Sequence, residues 1–219
     1  MLDGAPEPLS AEAFQGLAGI DDAAMARLRI YAQTLTDWNA RMNLVSPGSL
    51  ADLWRRHMLD SAQLAALVPA GAKRLIDIGS GAGFPGLVLA ALLGPRVGLE
   101  TILIESIEKK CAFLRAAAEA MGIAAHVRVL RGRAEDGGVS RADVVTARAV
   151  APLDTLLGYA ARLVRPGGIC LFPKGRTAAD ELTAARRSWT IEASTIPSQS
   201  DPAGSIVAVH SFAPKGRRP

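Results

Sequence analysis

The chain has 219 residues, 49% of them hydrophobic and 21% charged, with a formal net charge of +4. This is the composition of a globular chain that buries a core, with length for one main domain plus an extension. The mild basicity is compatible with a nucleic-acid partner without requiring one. Cys111 and Cys170 sit in apolar contexts without metal-ligand spacing, which predicts buried free thiols and no metal site. Met1 to Pro6 lacks a basic region followed by an apolar one, and no apolar run reaches the roughly 18 residues of a membrane span. Neither a signal peptide nor a membrane helix is expected, and the cytoplasm is the expected compartment.

Residues 1–10 are proline-rich and read as a mobile start. From Ser10 to about Ala40 the apolar residues recur at helical spacing, first Phe14, Leu17 and Ile20, then Met25, Leu28, Tyr31, Leu35 and Trp38. Two helices follow from that spacing, the second capped by Asp21 or Asp22. Ser46-Pro47-Gly48 is a break, and a third helix is predicted over 50–67, ending before Pro69. Together these form an N-terminal helical extension, residues 1–68.

Over 69–219 the pattern changes to alternating strands and helices. Strands are predicted at 74–78, 100–104, 127–130, 143–146 and 169–172, with two more near 189–196 and 206–212. Helices are predicted at 85–93, 107–121, 153–164 and 178–187. Such alternation implies βαβ units and a mainly parallel sheet of seven strands flanked by helices, an α/β fold. The link from Pro197 to Gly204 is polar and turn-rich. The tail from Pro214 to Pro219 is basic and reads equally as a phosphate contact or a solvated end.

The segment Asp77-Ile78-Gly79-Ser80-Gly81-Ala82-Gly83-Phe84-Pro85-Gly86 lies between a short apolar strand and an apolar helix. Glycines there permit positive φ and close approach of backbone N–H groups to a ligand. Two ligand classes compete for it. Gly81 to Gly86 matches G-x-G-x-x-G, the dinucleotide pattern. An earlier register, D-x-G-x-G-x-G from Asp77 to Gly83, resembles the first motif of class I S-adenosylmethionine-dependent methyltransferases. There the acidic residue helps to place the cofactor's amino-acid end. Glu105, at the end of the second strand, serves either reading, because both cofactors present a ribose diol. A third reading, an RNA-binding or assembly factor without catalysis, finds little support in a chain with 5% aromatic residues.

Further segments add a constellation: Trp54-Arg55-Arg56-His57-Met58-Leu59-Asp60-Ser61, Leu103-Ile104-Glu105-Ser106, Arg133-Ala134-Glu135, Thr146-Ala147-Arg148-Ala149-Val150-Ala151-Pro152-Leu153, and Lys174-Gly175. Their order and spacing resemble the bacterial small-subunit rRNA guanine-N7 methyltransferase family, RsmG or GidB, from about Leu28 to Lys174. The resemblance implies a class I methyltransferase domain that transfers a methyl group to guanine N7, at position 527 in the decoding-region loop of 16S rRNA. S-Adenosylmethionine would be the cofactor. Its site would use Gly79, Ser80, Gly81, Gly83 and Phe84, the Ala134-Glu135 turn, and Arg148, with Asp77 and Glu105 carried from the general methyltransferase pattern. Arg148 is the candidate catalytic residue. Arg56, His57, Arg131, Arg133 and Lys174 are candidates for contact with RNA. The implied partner is 16S rRNA, the small ribosomal subunit or its precursor, and no obligate protein partner is expected, which leaves a monomer. N7 of guanine is an unprotonated acceptor, so its direct attack needs no general base.

Overall fold

The computed structural model describes residues 7–136 and 138–216. The first six residues and the last three of the basic tail lie outside the described residues, as does Gly137. Within the described part of the tail, the Lys215 ammonium donates to the Arg186 carbonyl.

Helix α1 (Ala11–Ala18) starts at Ser10, whose hydroxyl accepts from the Ala13 N–H, and stops at Gly19 in the left-handed region. Helix α2 (Asp22–Asn39) starts at Asp21, whose carboxylate accepts from the Ala24 N–H at 2.7 Å. The third predicted helix is broken into four pieces: α3 (Pro47–Ala51), a π-helical stretch (Trp54–Leu59), the short α4 (Asp60–Ala62) and a 3₁₀ turn (Gln63–Leu67). Apolar spacing alone does not distinguish these windings.

The sheet follows in the order β3-β2-β1-β4-β5-β7-β6. Its strands are β1 (Arg74–Ile78), β2 (Glu100–Glu105), β3 (Val127–Arg131), β4 (Ala142–Ala147), β5 (Val164–Lys174), β6 (Trp189–Pro197) and β7 (Ser205–Pro214). The first five are parallel, and β7 pairs antiparallel with both β5 and β6. Helices α5 (Gly86–Val97), α6 (Glu108–Ala120), α7 (Leu153–Leu163) and α8 (Ala178–Ser188) cover the two faces. The mainly parallel seven-stranded sheet flanked by helices agrees with expectation. Strand β5 begins five residues earlier than predicted, because Pro166-Gly167-Gly168 forms an irregularity in the β4 pairing rather than a turn before the strand. Helix α5 runs four residues past its predicted end, through Pro95 to the left-handed Gly98.

Alternation along the strands sorts the core onto two faces. Leu75, Leu103, Val144 and Leu171 pack with α1, α2, α5 and α6 on one side. Ile76, Ile102, Val145 and Phe172 pack with α7 and α8 on the other. The N-terminal helices therefore share a core with the sheet. No helix among the described residues is long and apolar enough to cross a membrane. Cys111 and Cys170 are free and buried.

Candidate functional site

β1 reverses at its C-terminal end into the glycine loop, and the other parallel strands bring their ends to the same edge. Reversal of strand order at β1 opens the crevice where ligands of such sheets bind. The result is an open cleft of about 1480 Å³, walled by Gly79 to Ala82, Phe84, Glu105, Arg148 and the segment around His57.

The loop is held at several points. Its glycines Gly79, Gly81 and Gly83 have φ of 62°, 55° and 90°, values that only glycine adopts without strain. The Ser80 N–H donates to the Ile104 carbonyl at 3.0 Å, and the Ser80 hydroxyl donates to the Asp77 carbonyl. The Gly81 N–H donates to Glu105 Oε2 at 2.9 Å, while Glu105 Oε1 accepts from the Ile107 N–H at 2.8 Å. From α2, the buried Tyr31 hydroxyl donates to the Ala82 carbonyl. A Cβ on Gly83 would lie 2.5 Å from Leu87 Cδ1 and 2.7 Å from the Tyr31 hydroxyl. Gly83 thus makes room for helix packing and does not wall the cleft.

Asp77 is also placed behind the loop. It is fully buried, Oδ1 accepts from the Thr146 hydroxyl at 2.7 Å, and Oδ2 lies near Gly86 at the start of α5 without a hydrogen-bond partner. Complete burial pushes its carboxyl up to about 6, against the pull of the Thr146 hydroxyl and of the Arg148 charge. Asp77, expected to help place the cofactor's amino-acid end, thus lies behind the loop and not on the cleft wall. The strand points this residue inward, where it supports the loop and the first turn of α5.

On the other side of the cleft, Phe84 carries a stack. The His57 ring lies over it at 4.7 Å between centroids and 15° between planes. The Arg148 guanidinium sits 5.2 Å from the same ring centroid. Arg148 follows β4 and reaches the extension. Its Nη1 donates to the Arg56 carbonyl and to Asp60 Oδ2, each at 3.0 Å, and its Nη2 donates to His57 Nδ1 at 2.7 Å. A guanidinium cannot accept, so His57 Nδ1 is the acceptor and the ring proton belongs on Nε2. Burial, with the charges of Arg148 and Arg56, lowers His57 to about 3. His57 is therefore a neutral ring at physiological pH. Three of the five Arg148 N–H groups are engaged, and the remaining two have no acceptor among the described residues.

The other candidates are distributed unevenly. Arg56 is exposed on the cleft wall, without an ion pair among the described residues. Lys174, expected at RNA, is turned inward: its ammonium donates to the Ala151 carbonyl at 2.9 Å and pairs with Glu181 at 2.8 Å. Glu181 also accepts from the Leu153 N–H, which fixes the start of α7. Lys174 thus stands on the cleft wall as a strut under the segment after Arg148. Arg131 and Arg133 are exposed beyond the cleft wall, Arg131 beside Glu108 at 3.4 Å. Ala134 and Glu135 open a 3₁₀ turn (Ala134–Asp136) after β3, one strand over from Glu105, and also lie outside the main cleft. No described residue accepts from either of their N–H groups.

Several participants escape a reading of the chain alone. Tyr31 reads as a core residue of an amphipathic helix, with nothing to mark its hydroxyl. Lys110, on the cleft wall without an ion pair among the described residues, reads as one charge in a basic pair. Asp60 directly follows the π-helical stretch, and nothing in the chain marks its pairing with Arg148, 88 residues later. Ala149 has φ of 55°, a conformation that no residue-type pattern predicts for alanine.

These groups fit an adenosyl amino-acid ligand. Each Glu105 oxygen keeps acceptor capacity beside its backbone bond, suited to a ribose diol. The free Ala134 and Glu135 amides suit a purine edge, and the two free Arg148 donors suit a carboxylate.

The family model for rRNA small subunit methyltransferase G matches residues 24–206. A relative of that name from Parvibaculum lavamentivorans is 49% identical over 209 residues, covering 95% of this chain and 92% of its own. Another, from Rhodospirillum centenum, is 51% identical over 203 residues, covering 93% and 91%. Among solved structures, cofactor-bound Rv0187 from MTB superposes with a TM-score of 0.59 at 22% identity, over 94% of this chain and 99% of that one. An O-methyltransferase from Bacillus cereus in complex with SAH gives 0.56 at 16% identity, over 92% and 100%. Those two likenesses establish the class I methyltransferase fold. The chain belongs to the rRNA small subunit methyltransferase G family, an S-adenosylmethionine-dependent family of methyltransferases that act on rRNA.

Proposed function

We propose that this protein transfers a methyl group to N7 of a guanine in 16S rRNA, guanine 527 by family resemblance, and that the reaction uses no general base. Membership of the rRNA small subunit methyltransferase G family carries this reading, and the state of His57 supports the part without a base. His57 is the one imidazole on the cleft wall among the described residues, its Nδ1 is occupied by Arg148, and its ring stays neutral down to about pH 3. Such a group is a poor proton acceptor. Guanine N7 needs none, because it carries a free lone pair on the Hoogsteen edge.

Bound S-adenosylmethionine supplies an electrophilic methyl group. Glu105 accepts the ribose hydroxyls while the Gly81 N–H keeps its carboxylate aimed. Gly79, Ser80 and Gly81 form the floor, and the Ala134 and Glu135 amides read the adenine. Phe84 and His57 make an apolar plate that sets the depth of the cleft. Arg148 uses its two free donors on the cofactor carboxylate and is the residue on which transfer depends most. Catalysis rests on proximity and orientation, since no residue has to move a proton. Arg56 and Lys110 face the RNA backbone, with Arg131 and Arg133 further out along the edge. These contacts attract RNA without selecting a base. N7 lies at the bottom of a deep, narrow groove in A-form RNA, so a loop guanine is the accessible target. In this reading residues 1–68 are an extension that completes the site through Tyr31, His57 and Asp60, and residues 69–219 are the methyltransferase domain.

The test is methyl transfer from radiolabelled S-adenosylmethionine to 16S rRNA and to small subunits lacking the modification, followed by digestion to nucleosides. Label in 7-methylguanosine at a single site is the expected result. Label in another nucleoside refutes the N7 reading, and label at another guanine refutes the position.

A further inference from the structure

The β6–β7 link, Pro197 to Gly204, is polar, turn-rich and without a role so far. In the fold it returns to the cleft, where Ser198, Ser200 and Asp201 form part of the wall. It is tied to the extension by three bonds. The Gln63 amide donates to the Ser198 hydroxyl at 3.2 Å, Gln63 Oε1 accepts from the Gln199 N–H at 2.8 Å, and the Ser200 hydroxyl donates to Asp60 Oδ1 at 2.7 Å. The same Oδ1 also takes a 3.2 Å bond from Gln63. The other oxygen of Asp60, Oδ2, is the one that holds Arg148.

One carboxylate thus faces two ways, toward a loop on the cleft wall and toward the arginine above Phe84. The Asp60 and Arg148 side chains are only 16% and 19% exposed, so the pair is shielded from solvent. Turning Asp60 about its side-chain bonds would release Arg148 and Ser200 together, because both bonds depend on one carboxylate plane. Arg148 without Asp60 would keep the Arg56 carbonyl and His57 as partners, neither of them charged to balance it.

We propose that Asp60 is the positioning residue for Arg148, and that the β6–β7 loop, through Ser200, sets the orientation in which Asp60 does so. This rests on the reading of Arg148 as the ligand-facing cation of the cleft. It gives the C-terminal hairpin a part in cofactor handling although the hairpin's own hydrogen bonds go to Asp60 and Gln63.

The test measures kcat and the KM for S-adenosylmethionine with the full chain and unmethylated small subunits, for Asp60→Asn, Ser200→Ala, Arg148→Ala and the Asp60→Asn/Arg148→Ala pair. Each rate is normalised to folded protein by thermal unfolding. A hydrogen bond to a charged group is worth roughly a 10- to 100-fold change, and a neutral one roughly 2- to 10-fold. Asp60→Asn, which breaks the charged pair with Arg148, is expected to lower kcat/KM for the cofactor by the larger factor; Ser200→Ala keeps that pair and only frees the Asp60 carboxylate to turn, so it is expected to cost the smaller one. The KM for small subunits stays unchanged in both. Adding Asp60→Asn to Arg148→Ala is expected to cost nothing further, because Asp60 acts through the arginine. Multiplying effects in the pair overturn the proposal, and so does a loss confined to folded protein. If Asp60→Asn does not fold, Ser200→Ala decides, and an unchanged KM for the cofactor overturns the role of the loop. If Arg148→Ala alone leaves transfer intact, the reading of Arg148 falls first. Impaired Arg148→Ala with normal Asp60→Asn overturns only the inference made here.

Discussion

Replacing Tyr31 by Phe removes one oxygen atom from the base of the cofactor loop and little else. The Tyr31 side chain is fully buried, with its ring 5.3 Å from Phe84 and 6.4 Å from Phe113, and Phe preserves both contacts. What goes is the hydroxyl that binds the Ala82 carbonyl, between the Gly81 amide on Glu105 and the Phe84 plate. A buried carbonyl left without its donor costs about 1 to 3 kcal/mol. For a chain of this size each kcal/mol lowers the melting temperature by roughly 2 to 4 °C. The loop also gains freedom that cofactor binding must remove, so the affinity for S-adenosylmethionine is expected to fall at least about threefold. Thermal unfolding and titration calorimetry measure the two effects. Thr34→Ala on the exposed side of α2, which loses only a bond to the Ile30 carbonyl, serves as the control. If Tyr31→Phe lowers stability yet binds cofactor like the parent, the helix does not hold the loop for function. If it changes neither quantity, the hydroxyl carries none of the load assigned to it.

Arg148→Ala is expected to lower methyl transfer by roughly 100-fold, while unfolding free energy falls by only about 1 to 3 kcal/mol for the lost bonds. Matching losses of activity and of folded protein in the same preparation would contradict this. Gly79→Ala meets a φ of 62° and puts a methyl group 2.7 Å from Val150 Cγ2. Backbone strain of about 1 to 2 kcal/mol is expected, with weaker cofactor binding that Val150→Ala partly restores; calorimetry on both variants would show it. Asp77→Asn tests the buried carboxylate. Because the folded-state value is raised to about 6, the native protein holds that proton longer than the unfolded chain. Asp77 therefore favours folding at low pH, and this contribution is lost as the pH rises from about 4 through 6, by on the order of 3 kcal/mol. The lowered His57 value gives a slope of opposite sign, but both proteins share it. Urea unfolding at pH 4.5 and 7.5 should show the variant gaining on the parent at the higher pH, and parallel behaviour would remove Asp77 from the account.

The glycine loop was legible because its chemistry is local. Left-handed backbone needs glycine, and a strand before it with a helix after it leave a period change in the apolar pattern. Glu105 was legible for the same reason, as the end of a strand next to that loop. The burial of Asp77 behind the loop is not legible in the chain, since a strand-end carboxylate looks the same whether it walls the cleft or supports the loop from behind. The pairing of Lys174 is not legible either, because a lysine after a strand looks the same whether or not Glu181 waits beside it. The six π-helical residues Trp54–Leu59 left no mark in the apolar spacing, although they decide where His57 and Asp60 point. What was missing in each case was tertiary partnership between residues far apart in the chain.

The packing of α2 against the sheet domain has a consequence for how the chain is made. Tyr31 and Trp38 rest on Phe113, which lies about 80 residues later. At synthesis rates of about 5 to 20 residues per second, that partner emerges roughly 4 to 16 seconds after the helix does. Through this interval the apolar face of α2, with Leu28, Tyr31 and Leu35, lacks its Phe113 partner, although Phe84 comes out earlier. Translation speed across the first half of the message, and the holding factors present at the exit tunnel, therefore bear on the yield of this protein. Slowing codons placed between α2 and α6 would lengthen the exposure, whereas the same codons after β5 would leave it untouched.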